Sequence, residues 1–544
     1  MTVPDHYEPS ASPGADKKLD TTEAMAEDTS SDRNLGESDE DLPLGQAIRR
    51  YPKVAGYCLA LTTAILLWGY DLVVVGSVTA VPAFQRDFGD LFNGDYIFPA
   101  TWLSLWLSFG PLGAMVGSVA GGWLQDRIGR RLSLRIGCII SAIAVAIIFI
   151  ANRPSNVEAK RGVFLLGKTI QGFSVGVIKV QALTYVSENA PTSLRGPAMA
   201  LFPTFILMGQ LIGSGVVFSI EEDETSTGYL TALGSQWALS AAPFILSFVL
   251  PESPAYLVRK GQMDKALHAA KRLLEPRVSA TAALERITFN VENEKAMSRE
   301  VTFMDCFNAT HRRRTGIIVF VNILPALFGL NLLSNASYFL QTVGVNSRAS
   351  LMFLICGIVL GLLANGAGIW ILSRVGRRRL TCITIAIACL LWASMGISGF
   401  WSTPSAIIYP GISMNIIIVV CGLGCWPAGY AIMGETSALR LRAKSQAVGG
   451  VWAQISSIVM SFVLPYIFNP DAGNLKAKTG FVFAGLSAIA TIVSWIYIPE
   501  MKGRSVGEID EMFRLGLPAR DFKKWRGNVD QRYVVAEEKD SSVV

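Results

Sequence analysis

Residues 122–131 read Gly-Trp-Leu-Gln-Asp-Arg-Ile-Gly-Arg-Arg, and this charged stretch separates two long apolar runs. Part of it recurs 247 positions later, because Arg127 is matched by Arg374. The residues that follow it in each half repeat in the same way: Glu188 with Glu435, Arg195 with Arg442 and, at an offset of 248, Pro251-Glu252 with Pro499-Glu500. The chain is therefore predicted to be a duplicated half, and secondary transporters are often built from two such halves.

The composition is that of a membrane protein. Of the 544 residues, 51% are hydrophobic and 17% are charged, with a mean hydropathy of +0.40, whereas a soluble domain carries roughly a quarter charged residues. The apolar runs reach the roughly 20 residues that a helix needs to cross a bilayer. We predict twelve spans, at residues 55–84, 98–123, 132–151, 162–187, 198–220, 234–251, 314–341, 349–372, 380–400, 407–433, 445–468 and 479–498.

The loop charges predict the orientation of these spans. Lys and Arg are retained on the cytoplasmic side, and the basic residues concentrate in alternate connections, whereas the connection at residues 221–224 is acidic. We therefore predict a multi-pass protein of the plasma membrane with both termini in the cytoplasm. The net charge of +6 largely reflects this bias, so the lipid bilayer is an expected partner and a nucleic acid is not.

Charge and hydropathy also divide the chain into segments. We predict a disordered cytoplasmic tail at residues 1–50, six-helix bundles at 51–251 and 314–498, a linker with short amphipathic helices at 252–313, and a cytoplasmic tail at 499–544. Seven of the eight cysteines fall in predicted spans, and no metal-ligand spacing is visible, so neither a metal nor a cofactor is expected. The three histidines lie outside the spans, which disfavours an enzyme.

Longer motifs narrow the class of protein. Residues 122–131 resemble the major facilitator signature GxxxDRxGRR, and Pro251–Leu257 and Pro499–Arg504 resemble the sugar porter motifs PESPxxL and PExKGR. Residues 181–185, 369–374, 440–444 and 469–480 are similar to fungal maltose and α-glucoside permeases. The resemblance covers Tyr51 to Phe522 and implies an all-α fold of twelve transmembrane helices in two pseudo-symmetric six-helix bundles, with a small-molecule cavity between them.

The repeated charged motifs predict a cytoplasmic gate, because opposite charges can pair in one conformation and separate in another. The alternative is that the arginines only fix the topology. Ser373 stands where the second half would carry an acid matching Asp126. The predicted gate residues are Asp126, Arg127, Arg130, Arg131, Glu188 and Arg195 in the first half, and Arg374, Glu435 and Arg442 in the second.

One acid lies deep in the first predicted span. A carboxylate at the depth of Asp71 costs about 2.5 to 3.5 kcal/mol on insertion scales, so it needs a partner or a proton. Proton-driven sugar porters have an Asp at this GYD position, and the resemblance therefore makes Asp71 the proton-binding candidate. Many proton-driven sugar porters have Gly-Arg at the position of Gly167-Lys168, so Lys168 is the expected cationic partner of Asp71. The alternative is a permanent structural ion pair.

A second lysine lies eleven residues further along the fourth span. Eleven residues correspond to about three helical turns, so Lys179 shares a face with Lys168, Gly172 and Gly176. A glycine-rich face packs against another helix or a cavity, which directs the ammonium group inward. A salt bridge to an acid and a contact with an anionic or polar substrate both remain open.

Sugar recognition needs amide and hydroxyl groups beside an aromatic ring. Gln210 matches the fifth-span glutamine of sugar porters, whereas both glutamines of the seventh-span pattern QQxxGxN are replaced, by Pro325 and Ala326. A polar residue here can instead bond a neighbouring helix. The remaining predicted substrate-binding residues are Asn331, Asn335, Tyr338, Trp426, Tyr430 and Gln454.

These observations predict a proton-coupled symporter of α-glucosides such as maltose, or of related sugars, that works by alternating access. Because the two glutamines are missing, a same-fold transporter or exporter of a non-sugar metabolite is the alternative. A sugar receptor that does not transport ranks third.

Overall fold

The fold is built from twelve membrane spans in two six-helix bundles. The computed structural model describes residues 44–299, 302–309, 311–438, 441–504, 506–523 and 525. Within them, eleven helical segments are long and apolar enough to cross a bilayer. The remaining span, the seventh, is broken into three shorter helices.

The first half, residues 52–250, contains six spans. They are Pro52–Val78, Ala100–Ile128, Arg130–Phe149, Val157–Asn189, Thr192–Ser219 and a sixth made of Ser226–Gly234 and Gln236–Val249. The predicted first span was too long, because the helix ends at Val78 and a separate helix, Pro82–Phe88, follows. Two short strands, Asp90–Phe92 and Asp95–Ile97, pair antiparallel beyond it.

The second half, residues 312–498, contains the other six spans. They are Arg312–Leu327 with Leu330–Ser334 and Ala336–Val343, then Ser347–Val375, Arg377–Ser398, Pro404–Leu423 with Cys425–Thr436, Arg442–Phe468 and Thr479–Tyr497. The prediction of one continuous seventh span at residues 314–341 was wrong, because this span consists of three helices. Pro325 cannot donate a helical hydrogen bond, and Gly329 has a φ of 91°, a conformation that glycine adopts readily.

Short helices surround the bundles. The linker contains Pro254–Arg259, Met263–Leu274, Ala280–Arg299 and a 3-10 turn at Met304–Phe307. The prediction of a disordered tail at 1–50 is wrong for Leu44–Arg50, which is helical, and residues 1–43 lie outside the described part. A helix at Val506–Arg514 packs Ile509, Met512 and Phe513 against the seventh span, so this part of the predicted tail is docked.

Close glycine contacts hold the spans of the first half together. Gly113, Gly117 and Gly121 lie one turn apart on the second span, where an added Cβ would come within 2.0 to 2.9 Å of the fourth-span backbone. Gly172 and Gly176 return the contact from the fourth span. In a bilayer, such small residues let helix backbones approach and pack closely, so this seam fixes the position of the fourth span and of Lys168 and Lys179 on it.

The two ends of the molecule differ. We call the end that carries the turns at Gly129 and Gly376 the motif face, and the end with the connections at residues 79–99, 220–225 and 344–346 the opposite face. At the opposite face the halves are bonded directly, since Gln341 donates to the Ala80 carbonyl at 2.6 Å and Asn469 donates to the Phe98 carbonyl at 2.7 Å. Glu222 and Arg348 add an ion pair between the halves. The molecule is therefore closed at the opposite face.

Candidate functional site

A buried ion pair joins the first and fourth spans. Lys168 Nζ donates to Asp71 Oδ1 at 2.5 Å, and their side chains are 2% and 10% exposed. The neighbouring Tyr70 hydroxyl donates to the Ala232 carbonyl at 2.8 Å, which fixes this turn of the first span against the sixth. The structure thus brings together the two residues singled out for proton coupling, and that role itself stays a prediction.

Lys179 also faces the first span, about three turns from Lys168. Its ammonium group lies 4.0 Å from the centre of the Trp68 ring, a cation–π contact. No carboxylate of the described residues lies within ion-pair distance of it, so the salt bridge considered from the sequence is not formed there. Trp68 was not among the predicted site residues. The signal in the sequence was its position, three residues before Asp71 on the same helix.

The predicted seventh-span residues hold helices together. Asn331 Nδ2 lies 2.8 Å from Ser461 Oγ and 3.1 Å from Ser457 Oγ on the eleventh span. Asn335 Nδ2 donates to the Asn331 carbonyl at 2.8 Å. The Oδ1 atom of the same side chain lies against Gly76 of the first span. Asn331 therefore joins the seventh and eleventh spans within the second half, whereas Asn335 lies at the junction of the two halves.

Tyr338 belongs to the same junction. Its hydroxyl accepts from the Phe98 backbone N–H and donates to Asn469 Oδ1, both at 3.2 Å, and the side chain is buried. These contacts belong to the closed opposite face. A substrate-binding role for Tyr338 requires the halves to separate first.

The side chains of the four other predicted residues are partly or largely exposed. Gln210 and Gln454 are half-buried, and Trp426 is half-buried beside Pro427. Tyr430 is 56% exposed. Within the described residues, the side-chain amides of Gln210 and Gln454 make no hydrogen bond, so their polar groups are free to bind a ligand, which is what a binding site for small molecules requires.

At the motif face of the first half, the carboxylate of Glu188 is the centre of a charged network. Arg130 contacts it through two nitrogens, Nη2 at 2.6 Å and Nε at 3.0 Å, a bidentate geometry. Arg259 Nη1 lies 2.8 Å away, and Ser253 Oγ donates at 2.6 Å. The network ties the third and fourth spans to the start of the linker.

The second half repeats this pair. Arg377 Nη2 lies 2.6 Å from Glu435 Oε1, and its Nε lies 3.0 Å from the same oxygen. Arg377 was not a predicted gate residue, although it is the 247-residue repeat of Arg130. Both pairs lie within one half, so in this conformation they do not bridge the halves.

Two further acids, Glu252 and Glu500, cap the helices that begin after Gly129 and Gly376. The Arg130 N–H donates to Glu252 Oε1 at 2.9 Å, and the Arg377 N–H donates to Glu500 Oε1 at 3.0 Å. A carboxylate is stabilising there because the first N–H groups of a helix lack partners. Glycine is needed because φ is 93° and 97° and an added Cβ would meet these carboxylates. The Pro-Glu repeat was the signal for both acids.

The other predicted gate residues are less constrained. Asp126 is 71% exposed, 3.6 Å from Arg130. Arg127 and Arg374 lie over Trp123 and Trp370, at matching positions of the repeat. Arg131 donates to the Ser247 and Phe248 carbonyls, Arg195 is exposed, and Arg442 is half-buried.

Tyr256 closes the network of the first half from the linker. Its hydroxyl donates to the Arg127 carbonyl at 3.1 Å, and the Arg130 guanidinium lies 4.9 Å from its ring centre. Burial, and then the nearby Glu252 carboxylate, raise the pKa of Tyr256. The phenol therefore stays protonated and remains a donor at neutral pH.

Removing the Glu252 cap should loosen the motif face. In Glu252→Gln the charge that faces the start of the third span is lost, and a cap of this kind contributes about 0.5 to 2 kcal/mol. We expect a lower melting temperature of the purified protein, measured by the fluorescence of a thiol-reactive or intrinsic probe. Glu285→Gln, in an exposed part of the linker, is the control. Equal melting temperatures for the two variants would contradict the capping role.

Two six-helix bundles with a repeated charged motif at one face define a membrane transporter of the major facilitator class. Solved structures agree on the fold: a partially occluded inward-open conformation of the xylose transporter XylE from E. coli aligns with a TM-score of 0.68 at 18% identity, over 84% of this chain and all of that one. A XylE complex with 6-bromo-6-deoxy-D-glucose, called a proton:xylose symporter, aligns with a TM-score of 0.65 at 19% identity, over 85% and 99%.

Sequence comparison defines the family. Residues 57–513 match the model of the family described as "Sugar (and other) transporter". The MFS transporter fmqE of Aspergillus fumigatus is 31% identical, over 90% of this chain and 93% of that protein, and the maltose permease MAL61 of Saccharomyces cerevisiae is 28% identical, over 90% and 80%. The chain belongs to this sugar transporter family, and it is a transporter rather than an enzyme.

Proposed function

We propose that this protein is a proton-coupled symporter that imports α-glucosides such as maltose by alternating access. The observation that carries the proposal is the buried pair of Asp71 and Lys168, because a carboxylate inside a membrane marks an ion or proton pathway. Yeast maltose and α-glucoside permeases that are 28% identical over most of the chain support the substrate class. The motif face is assigned to the cytoplasm and the opposite face to the outside of the plasma membrane.

The division into bundles at residues 51–251 and 314–498, joined by the linker at 252–313, is part of this proposal. Sugar and a proton enter when the contacts of the opposite face open. A proton on Asp71 neutralises the carboxylate and ends its ion pair with Lys168, which removes a bond between the first and fourth spans. Protonation thereby changes the relative stability of the two conformations, and a few kcal/mol suffices to shift such an equilibrium.

The motif-face charges act as the cytoplasmic gate in this scheme. Arg130–Glu188 and Arg377–Glu435 hold each half rigid, while the more exposed Asp126, Arg127 and Arg374 are free to meet across the halves when the cytoplasmic side closes. Exposed ion pairs contribute about 0 to 1 kcal/mol each. Several of them together bias the equilibrium without locking it.

Uptake of labelled maltose into proteoliposomes tests the proposal. We expect maltose to accumulate above the external concentration when an inward proton gradient is imposed, and only to equilibrate without one. A protonophore should abolish the accumulation. Maltose uptake that is the same with and without the gradient would contradict the coupling, and absence of maltose uptake would contradict the substrate class.

A second candidate is a transporter of a non-sugar metabolite, operating as an importer or an exporter. It is favoured by Pro325 and Ala326, which remove two amides from the seventh span, and by the 31% identity to a protein named only as an MFS transporter. Proton-driven efflux of another compound, together with no flux of maltose, would select it.

A further inference from the structure

Lys179 is a cation for which the proton-coupling scheme has no use. It lies ten residues before the end of the fourth span, deep enough that insertion scales assign its charge a substantial cost. Among the described residues, the ammonium group of Lys179 contacts the Trp68 ring, whose centre lies 4.0 Å away. A cation–π contact offsets only part of the cost of the charge inside the membrane.

The charges inside the membrane do not balance. Among the described residues, three of the Asp, Glu, Lys, Arg and His residues of the spans lie at least seven positions from both ends of their helix: Asp71, Lys168 and Lys179. The Asp71 carboxylate forms its ion pair with Lys168, at 2.5 Å. The membrane interior therefore holds one carboxylate for two ammonium groups, and Lys179 is the group left over.

We propose that Lys179 pairs with a carboxylate on the substrate, so that the protein prefers an α-glucoside that carries a carboxylate, a sugar acid, over a neutral one such as maltose. This inference rests on the proposed function and narrows its substrate class. In the proposed complex the sugar ring packs beside the half-buried Trp68, and Lys179 provides the charged contact. The glycine seam with the second span holds the fourth-span backbone, so the ammonium group has a defined position toward the first span.

The same arrangement links the anion to the proton. When Asp71 takes up a proton, the interior loses its one negative charge, and Lys168 and Lys179 are both left without a counter-ion. A carboxylate that arrives on the substrate restores one negative charge. Loading of the proton and of the anion therefore favour each other, and a sugar acid with one carboxylate would enter with one proton without net charge movement.

Binding of two matched probes to the purified full-length protein tests the inference. Maltobionate and maltitol share the same glucosyl unit and open chain, and differ in one carboxylate against one hydroxymethyl group. We expect maltobionate to bind at least about tenfold more tightly, which corresponds to one charge-assisted hydrogen bond, when binding is followed by tryptophan fluorescence and by isothermal titration calorimetry.

Three variants assign the effect to the lysine. Lys179→Gln should remove the preference for maltobionate and leave maltitol binding within about twofold, whereas Lys179→Arg should keep the preference. Lys265→Gln, which removes an exposed linker charge, should behave as the wild type. A tenfold preference that survives in Lys179→Gln overturns the inference.

The outcomes also separate this inference from the proposed function. Proton-driven maltose uptake with equal binding of maltobionate and maltitol overturns the sugar acid and leaves proton-coupled sugar transport in place. Preferred binding of maltobionate without any maltose uptake supports the role of Lys179 and contradicts maltose as the substrate. Binding of neither probe, with no maltose uptake, overturns both.

Discussion

The Asp71→Asn variant should equilibrate its substrate but fail to accumulate it. Asparagine keeps the size of the side chain and an oxygen that accepts from Lys168, but it cannot take up and release a proton. Accumulation against a gradient should fall by at least about tenfold in proteoliposomes, because one lost coupling ion removes the energy source for uphill transport. The measurement is the ratio of internal to external labelled maltose under an inward proton gradient.

Counterflow separates loss of coupling from loss of folding. In that assay, liposomes loaded with unlabelled maltose exchange it for labelled maltose without any gradient, so a folded Asp71→Asn protein should still be active. Asp95→Asn, in the exposed hairpin of the opposite face, is the matched control and should accumulate maltose normally. Normal accumulation by Asp71→Asn would show that the coupling proton binds elsewhere.

Gly117→Ala should disrupt the first half of the molecule. An added Cβ would lie 2.0 Å from the Phe173 carbonyl oxygen and 2.8 Å from its carbon, and both are backbone atoms that cannot rotate away. The second and fourth spans would have to separate, and overpacking of this kind costs about 1 to 3 kcal/mol or more. We expect a clear drop in melting temperature and in the yield of monodisperse protein.

Gly122→Ala is the matched control for that variant. It makes the same substitution just over one turn further along the same helix, where an added Cβ meets no atom within 4 Å. Alanine is a better helix former than glycine by about 0.8 to 1 kcal/mol, so this variant should be as stable as the wild type or slightly more stable. If Gly117→Ala melts at the same temperature as Gly122→Ala, the close seam between the second and fourth spans is wrong.

Much of the fold follows from hydropathy alone. The cost of unpaired backbone groups in lipid forces each long apolar run into a helix, so the spans could be predicted to within several residues. The partnership of Asp71 and Lys168 could be anticipated because a charge in the membrane needs a partner at a similar depth. The repeat was also sufficient to place charged motifs at one face of both halves.

Other features depended on local geometry that hydropathy averages out. The seventh span breaks because Pro325 and Gly329 act together, and the mean hydropathy of residues 314–341 does not show such a break. The helix Val506–Arg514 is nine residues long and apolar on one side, so its docking depends on the surface offered by Ile317 and Val321.

The hydrogen-bond partners of the predicted site residues could not be predicted from the sequence either. The side chains of Asn331 and Tyr338 could each hydrogen-bond a sugar. In this structure Asn331 instead bonds Ser461 and Tyr338 bonds Asn469, each on another segment of the chain. In the sequence, Glu252 and Glu500 are recognisable only as part of family motifs. That they cap helices follows from the structure, which places them beside the turns at Gly129 and Gly376. Which polar atoms meet is set by packing, and a single sequence does not specify it.

Proton movement during sugar entry is the most direct test of the account. Proteoliposomes that contain a trapped pH-sensitive dye, with no gradient imposed at the start, are mixed with external maltose. We expect the interior to acidify as maltose enters, and Asp71→Asn to abolish the acidification. Entry of maltose into wild-type liposomes with no change of internal pH would contradict it.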